Sequence, residues 1–234
     1  MKRRKLYEGK AKVVYETDEP DKLVLEFKDE ASAFDGLKKA RVEGKGALNN
    51  AISSALFELL ESRGIKTHFI KKLSEREMLV YRAERFPLEV VVRNYAAGSF
   101  VKRYGVKEGT PLEPPLVEFF LKSDELHDPM VCEEHVRALK LAPPELLPEM
   151  KKLALKVNEV LRELFKKKGI RLVDFKLEMG ILPDGNLAVV DELSPDSMRL
   201  WDERTGEKLD KDRFRFGLGD LLEGYKEVLS RLKN

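Results

Sequence analysis

The chain has 234 residues, of which 42% are hydrophobic and 37% are charged. This length suffices for one large domain or two small ones, and the hydrophobic fraction is typical of a globular protein rather than a disordered one. The 44 basic and 42 acidic residues leave a formal net charge of only +2, which argues against a nucleic-acid-binding protein that relies on bulk charge.

We expect neither a secretory signal nor a membrane-spanning helix in this sequence. The basic start MKRRK is followed by LYEGKAKVVYE, where a secretory signal needs an apolar run, and no apolar stretch has the length of a membrane-spanning helix. We therefore expect a soluble protein. A single cysteine, Cys132, excludes an internal disulfide framework and favours a reducing cytoplasm. The histidines, His68, His127 and His135, are too scattered for a zinc site.

The first eighty residues are predicted to form strands with one inserted helix. Strands are expected at 12–16, 23–28, 67–72 and 78–82. The helix is expected from about Ala47 to Ser62, because its apolar residues recur at helical spacing and Gly64 follows it.

The remainder has a mixed pattern. It predicts a connector at 83–87, a strand at 88–94, a short helix from Gly98, a proline-rich crossing at 111–115, a helix at 147–168, a β-hairpin at 170–191 and a helix at 210–232. We therefore divide the chain into a small β-rich lobe, residues 1–83, and a larger α/β lobe, residues 84–234. This layout is typical of enzymes that clamp a nucleotide between two lobes.

The predicted hairpin carries acidic side chains where neutral ones are usual. Its first arm alternates between an apolar and a charged face: Val173, Phe175, Leu177 and Met179 against Asp174, Lys176 and Glu178. The turn signal PDGN follows. If Asp184 and Gly185 form a two-residue loop, Glu178 lies opposite Asp191, whereas a bulge or a three-residue loop shifts the register by one.

Two carboxylates opposite each other are destabilising unless something compensates them. Mg²⁺ is commonly held by one or two carboxylates together with nucleotide phosphates, so Glu178 and Asp191 are candidate metal ligands. The alternative is a solvated face on which Lys176 forms a surface salt-bridge trio with two acids. The hairpin alone leaves both interpretations open.

Two further stretches suggest anion binding. Gly9 precedes Lys10 and Lys12, whose ammonium groups point to one side of a strand and can meet phosphates, although a lysine-rich edge strand is the alternative. Arg93 ends a valine-rich strand just before Ser99 opens a helix, a pair that suits a phosphate or carboxylate. Alternatively, Ser99 only caps the helix and Arg93 pairs with a surface acid.

Several stretches of the sequence together resemble a known family. FPLEVVVRNYAAGS and LVDFKLEMG are very similar to the two signature stretches of SAICAR synthetases, and LYEGKAKVVYE, SAFDG, KGALNNAIS, FLKSDELHDPMV, DELSPDSMRLWD and DKDRFR stand in the family's order. The match covers nearly the whole chain. The resemblance implies an α+β, two-lobed fold with kinase-like and ATP-grasp-like nucleotide binding, and a homo-oligomer.

The resemblance also implies an activity. Family members use ATP and Mg²⁺ to join L-aspartate to the carboxylate of carboxyaminoimidazole ribonucleotide (CAIR), through an acyl phosphate. Coupling to ATP is needed because a carboxylate is a poor acyl donor at neutral pH, and a closed clamp keeps water from the intermediate.

The resemblance also assigns roles to residues of this sequence that match the family's site positions. The resemblance places Gly9, Lys10, Ala11 and Lys12 along the ATP phosphates, Val14 and the connector near Ala83 at the adenine, and Glu178 and Asp191 at Mg²⁺. It places Arg93, Ser99 and Arg199 at the phosphate or carboxylate of the ribonucleotide, and Asp174 and Lys176 at the imidazole and the developing charge. Asp35, Asp128, Asp196 and Arg215 also fall in matching stretches, with Asp196 and Arg215 as further substrate contacts. Glu43 lies in a variable segment and receives no role.

Two other functions are alternatives to this ligase activity. A small-molecule kinase would use the same ATP clamp and stop at phosphoryl transfer, without needing aspartate. A regulatory nucleotide-binding module would perform no chemistry, but a mere binder has no need for several ionisable groups around one metal.

Overall fold

The structure, a computed structural model, describes residues 2–34 and 36–234. The first sheet is built from five antiparallel strands: β1 (Lys2–Glu8), β2 (Lys12–Thr17), β3 (Lys22–Phe27), β6 (Phe69–Lys72) and β7 (Glu77–Tyr81). Their order is β1-β2-β3-β7-β6. Between β3 and β6 the chain also forms a small separate hairpin from β4 (Glu30–Ala33) and β5 (Lys38–Arg41).

The second sheet follows in the chain and contains the predicted hairpin. Its strands are β8 (Glu84–Tyr95), β9 (Pro111–Leu121), β10 (Met130–Val131), β11 (Ile170–Ile181), β12 (Leu187–Val190) and β13 (Met198–Asp202). The order is β10-β9-β8-β11-β12, and β13 pairs with β11 beyond the end of β12. The long strand β11 is therefore central, with partners on both sides.

The described part of the chain also contains six α-helices: α1 (Lys45–Ser62), α2 (Gly98–Tyr104), α3 (Glu133–Ala138), α4 (Leu147–Lys167), α5 (Asp212–Phe216) and α6 (Leu221–Lys233). A short 3-10 helix, Pro144–Leu146, precedes α4. Helix α4 packs on β11 and β8, while α1 packs on the first sheet and on α6. The main hydrophobic core is shared, since it includes Leu25 and Val80 of the first sheet and Val90 and Leu177 of the second.

The hairpin forms as predicted, but its register differs by one residue. Glu178 pairs with Val190, not with Asp191. The cause is a three-residue loop: the Leu182 N–H donates to the Asn186 carbonyl at 2.9 Å, and Gly185 takes φ 83°, a conformation that glycine adopts without steric cost. Asp191 consequently lies just beyond the strand.

The predicted alternation along β11 also holds only in part. Phe175, Leu177 and Met179 face the main core, but Val173 packs instead in a small cluster with Trp201. The register between β11 and β13 shifts between Leu172 and Asp174, and this irregularity changes which face the preceding side chains occupy.

Three other predicted elements are wrong in extent. The proline-rich crossing is part of strand β9, and residues 84–87 of the predicted connector belong to β8, which leaves only residues 82–83 between the two sheets. The predicted final helix is two helices, α5 and α6. They are separated by the stretch Gly217-Leu218-Gly219, whose glycines disfavour a helix, and Asp220 starts the second by accepting from the Leu222 N–H at 2.7 Å.

Among the residues described, no helix combines the length and the apolar character that crossing a membrane requires.

His68 lies where the first sheet meets the hairpin. Its backbone N–H donates to the carbonyl of Val189 at 2.9 Å, and its ring packs edge-on against Phe57. The side chain is buried, and its Nε2 atom has no hydrogen-bond partner among the described residues. Burial lowers the pKa of His68 to about 3, so the ring is neutral in the folded protein near neutral pH.

This histidine makes folding sensitive to acid. The unfolded chain protonates a histidine near pH 6.5, whereas the folded chain resists protonation until about pH 3, so stability falls as the pH decreases through this window. Lowering the pH from 6.5 to 5 should reduce the free energy of unfolding of both proteins. We expect the reduction in His68→Gln to be about 1.5 kcal/mol smaller than the reduction in the wild type. Urea unfolding at both pH values measures this, with exposed His135→Gln as the control. An equal decline in His68→Gln and the wild type would contradict it.

Candidate functional site

A polar cleft of about 350 Å³ lies between the turn that joins β1 to β2 and the charged face of β11. Its lining includes the residues that the sequence predicts for the nucleotide phosphates and the metal, together with the predicted adenine contact Val14, the catalytic candidate Lys176 and two predicted substrate contacts: Gly9, Lys10, Ala11, Lys12, Val14, Lys176, Glu178, Asp191, Asp196 and Arg215. Asp128 lines the same cleft. The turn is closed by the Gly9 N–H, which donates to the Lys12 carbonyl at 2.8 Å, so Lys10 lies in the turn rather than on a strand.

Both turn lysines reach acids of the second half of the chain. Lys10 Nζ is 2.5 Å from Asp124, and Lys12 Nζ is 2.5 Å from Glu192 and 3.2 Å from Asp191. Burial opposes the charge of Lys12, but the carboxylates of Asp191 and Glu192 outweigh it and raise the pKa of the lysine. The ammonium group is therefore held in its charged form at the acidic side of the cleft.

Glu178 and Asp191 lie close together despite the changed register. The same nitrogen of Arg85, NH2, contacts Glu178 and lies 3.4 Å from Asp191, so one cationic group reaches both carboxylates. Lys122 pairs with Glu178 as well. Although burial opposes ionisation of Asp191, Lys12 and Arg85 hold its pKa below the usual range.

The donor set of this pair suits Mg²⁺. The described residues include no group of three or more His, Cys, Asp or Glu side chains arranged for a metal ion. Mg²⁺ needs fewer protein ligands, since it commonly takes one or two carboxylates and completes its shell with water and phosphate oxygens. The position of Arg85 shows that a cation can be shared between Glu178 and Asp191.

Lys176 and Glu89 form a second charged pair in the cleft. Lys176 Nζ donates to Glu89 Oε1 at 2.6 Å. Burial raises the pKa of Glu89, and the same burial opposes the charge of Lys176, whose pKa is nevertheless raised by Glu89 and then Glu178. Glu89 stands directly opposite Glu178 on the sheet, and the positive charge of Lys176 interacts favourably with both.

Beside the cleft, arginines and carboxylates alternate in a continuous network, which we call the arginine chain. Its members are Arg215, Asp212, Arg199, Asp174, Arg93, Glu118 and Arg103. Asp174 is buried in the middle, 3.0 Å from NH1 of Arg93 and 3.0 Å from NH1 of Arg199. With four guanidinium groups and three carboxylates, the arginine chain carries one excess positive charge.

One end of the arginine chain lines a second cavity of about 440 Å³, together with Ser99, His127 and Asp128. Arg93 NH2 donates to the Ser99 hydroxyl at 3.1 Å, so the predicted association of these two residues is present. Glu89 and Asp128 line both this cavity and the cleft, which makes the two spaces neighbours.

The remaining candidate residues fall in several places. Ala83 lies in the two-residue link between the sheets, and Glu43, which received no role from the sequence, is exposed. Asp35 falls outside the described residues. Asp196 lines the cleft, but its oxygens already accept hydrogen bonds from the side chains of Lys45, Asn49 and Tyr225.

Sequence reasoning missed several residues of the site. Arg85, Glu89, Glu118, Arg103 and Lys122 received no role. For Glu89 a signal existed, since it alternates with buried valines on a strand that also carries Arg93. Arg213, which the sequence did not mark as a buried residue, is buried, and its guanidinium donates to the carbonyls of Lys208 and Asp220.

Comparisons with known proteins agree on one family. A family model described as SAICAR synthetase matches residues 5–232. A phosphoribosylaminoimidazole-succinocarboxamide synthase from Aquifex aeolicus is 76% identical over 204 residues, which cover 87% of this chain and 94% of that protein.

Solved structures give the same result. The crystal structure of phosphoribosylaminoimidazole-succinocarboxamide synthase from Ehrlichia chaffeensis superposes with a TM-score of 0.96 at 48% identity, covering 98% of both chains. A type-2 SAICAR synthetase in complex with ADP superposes with a TM-score of 0.93 at 51% identity, covering 97% of this chain and 96% of that one. The predicted α+β fold is thereby confirmed.

Gly98 makes room for the arginine chain. It takes φ 53°, and a Cβ atom built on it would lie 2.3 Å from NH2 of Arg199. Gly105, at the other end of α2, has φ 65° and open space around it. Alanine at Gly105 therefore carries only the backbone strain, about 1 kcal/mol, whereas alanine at Gly98 must also displace the guanidinium group of Arg199, which Asp174 and Asp212 hold in place.

We expect Gly98→Ala to lower the free energy of unfolding by about 2–4 kcal/mol and Gly105→Ala by about 1 kcal/mol. Urea denaturation of both variants beside the wild type measures the difference. Equal losses in the two variants would show that Arg199 is not fixed against Gly98.

Proposed function

The chain belongs to the SAICAR synthetase family, which catalyses the ATP-dependent ligation of L-aspartate to CAIR in purine biosynthesis, and we propose how its own residues carry out this reaction. The observation that supports the proposal most directly is the arrangement of the two cavities. A cleft with a lysine-bearing turn facing two carboxylates adjoins a cavity lined by arginines. The first suits a metal-bound nucleotide, and the second suits an anionic co-substrate.

ATP is the co-substrate in this proposal, and a similar SAICAR synthetase was solved in complex with ADP. Gly9, Lys10, Ala11 and Lys12 would lie along the phosphates, since all four line the cleft. Val14, on the same wall, would contact the adenine, and the backbone at Ala83 would bond to it. Residues 1–83 would then act as the ATP-binding lobe and residues 84–234 as the lobe with the metal and substrate site.

Glu178 and Asp191 would hold Mg²⁺. When bound there, the ion would neutralise charge on the phosphates and fix them in place. The two carboxylates can share one cation, because Arg85 already reaches both. Lys12, which is anchored by Asp191 and Glu192, would bring a further positive charge to the phosphates.

Chemistry would proceed in two steps. An oxygen of the CAIR carboxylate attacks the γ-phosphorus and releases ADP, which leaves an acyl phosphate. The amine of L-aspartate then attacks the acyl carbon, the carbon–oxygen bond to phosphate breaks, and the nitrogen loses its extra protons as the amide forms. Lys176 lines the cleft as a charged ammonium group and would stabilise the negative charge that develops in both steps.

The arginine chain would hold the ribonucleotide. Arg93 and Ser99, which line the second cavity, remain proposed contacts for its phosphate or carboxylate, with Arg215 and Asp196 at the cleft side. Arg199 stays a proposed contact as well, although it lines neither cavity and is joined to Arg93 through Asp174. For Asp174, burial between two guanidinium groups supports a positioning role rather than direct contact with the imidazole.

We also propose that the protein acts in the cytoplasm, as a homo-oligomer, on small molecules rather than nucleic acid. Its only cysteine, Cys132, is an exposed free thiol, which is stable in a reducing compartment. A net charge of +2 gives no general attraction to nucleic acid. The homo-oligomer rests on the family resemblance.

The test is ADP release by the purified protein with ATP, Mg²⁺ and CAIR, with and without L-aspartate, while the succinocarboxamide product is followed. We expect product and sustained ADP release only when aspartate is present. Equal ADP release without aspartate would instead indicate a kinase, and no ADP release under either condition would overturn the proposal.

For Asp191→Asn we expect kcat to fall by about 100-fold or more, because a charge that holds Mg²⁺ is lost. The fold should persist, since asparagine tolerates the φ of 71° at this position. Asp184→Asn on the exposed hairpin turn is the matched control. Calorimetric ADP titration with and without Mg²⁺ gives a second readout, in which Mg²⁺ should strengthen ADP binding to the wild type but hardly to Asp191→Asn. Near-normal turnover or an unchanged Mg²⁺ effect would remove Asp191 from the metal site.

A further inference from the structure

We infer that Arg103 is a further binding residue for the phosphate of the ribonucleotide, and that Glu118 positions Arg103 and Arg93 for this task. The inference rests on the proposed function, because it names the ligand of the second cavity as the ribonucleotide. Arg103 lies on α2 and lines that cavity together with Arg93 and Ser99.

Glu118 holds the two guanidinium groups as a pair. Its Oε2 accepts from Nε of Arg93 at 2.6 Å and its Oε1 accepts from NH2 of Arg103 at 2.7 Å. One carboxylate thus bridges two arginines that come from different elements, β8 and α2. Because Glu118 compensates only one of the two charges, the pair keeps an excess positive charge toward the cavity even though Arg93 also pairs with Asp174.

The side chain of Arg103 is fixed before any ligand arrives. NH1 donates to the Ser99 hydroxyl at 3.2 Å, the same hydroxyl that accepts from Arg93. The guanidinium group also lies over the rings of Tyr104 and Phe120, at 5.4 and 5.5 Å from their centroids. A guanidinium has five N–H donors, so one that is oriented in this way retains hydrogen bonds for an anion at little entropic cost.

The phosphate, rather than the reacting carboxylate, suits this end of the cavity. The reacting carboxylate must reach the nucleotide cleft, and the wall common to both spaces carries Glu89 and Asp128, not Arg103. A ribonucleotide with its imidazole at this wall would place its phosphate away from the cleft, among arginines. Two guanidinium groups and a hydroxyl match the charge and the several acceptors of a phosphate.

Kinetics with Arg103→Ala test the first part. We expect the KM for CAIR to rise about 10- to 100-fold, as the loss of a charge-assisted hydrogen bond implies, with kcat changed by less than about 3-fold. The KM values for ATP and L-aspartate should stay within about 2-fold of the wild type, and Arg103→Lys should recover part of the loss. Arg171→Ala is the matched control, since Arg171 likewise pairs with a glutamate and lies over a tyrosine ring but faces another cavity.

Direct binding identifies the group that Arg103 contacts. Calorimetry would compare 5-aminoimidazole-4-carboxamide ribonucleotide with its nucleoside, which lacks only the phosphate. We expect Arg103→Ala and Glu118→Gln to weaken binding of the ribonucleotide and to leave binding of the nucleoside unchanged. If both ligands lost affinity equally in Glu118→Gln, this residue would have only a structural role.

The outcomes separate this inference from the proposed function. Wild-type protein that forms no succinocarboxamide product would refute the function itself. An active wild type combined with an unchanged KM for CAIR in Arg103→Ala would refute only the inference. A rise confined to the KM for L-aspartate would also overturn it, because the cavity would then receive the amino acid.

Discussion

The carboxylates of Asp174 and Glu178 on the charged face of β11 are buried, and a buried charge without a partner costs several kcal/mol. The sheet itself supplies the partners. Arg93 on β8 and Arg199 on β13 stand directly opposite Asp174, so the register of two strand pairs brings one guanidinium to each side of this carboxylate. Slipping either pair by one residue would take one of the two guanidinium groups away from Asp174, so the register of both strand pairs fixes the arginine chain.

Further along the same face the register creates a conflict. Glu178 of β11 stands opposite Glu89 of β8, an arrangement that is destabilising unless cations surround it. Arg85, Lys122 and Lys176 contact these two glutamates. The result is an acidic centre whose charge is balanced by three long side chains rather than by a single partner. Such a centre can exchange a side-chain cation for a metal ion without leaving a buried charge unpaired.

The elements that were predicted correctly are those that short-range sequence patterns determine. Strands β2, β3 and β7, helices α1 and α4, and the turn of the hairpin all follow from periodicity and from glycine and proline signals. Strand β9 was missed because prolines are rare inside sheets. The register of the hairpin was missed because both loop lengths suit the same four turn residues, and only the backbone at Gly185 distinguishes them.

Contacts between distant parts of the chain explain the remaining differences. Periodicity cannot reveal that Lys12 meets Glu192, since 180 residues separate them. Arg85 was overlooked because its segment was assigned to a connector, although it reaches both candidate metal ligands. The resemblance to a family proposed the main ligand contacts by position, but family motifs do not say which carboxylate holds which arginine.

Several site residues consequently support the fold as well as the site. Alanine at Arg93 would remove the guanidinium group that joins Asp174 to Glu118, leaving Asp174 paired with Arg199 alone and Glu118 with Arg103 alone, which should destabilise the fold. Asp196 similarly joins α1 to α6 through Lys45 and Tyr225. Loss of activity after such substitutions would combine misfolding with lost chemistry. The roles of Asp191 and Arg103 are easier to separate from folding, because an asparagine suits the backbone at one and solvent partly reaches the other.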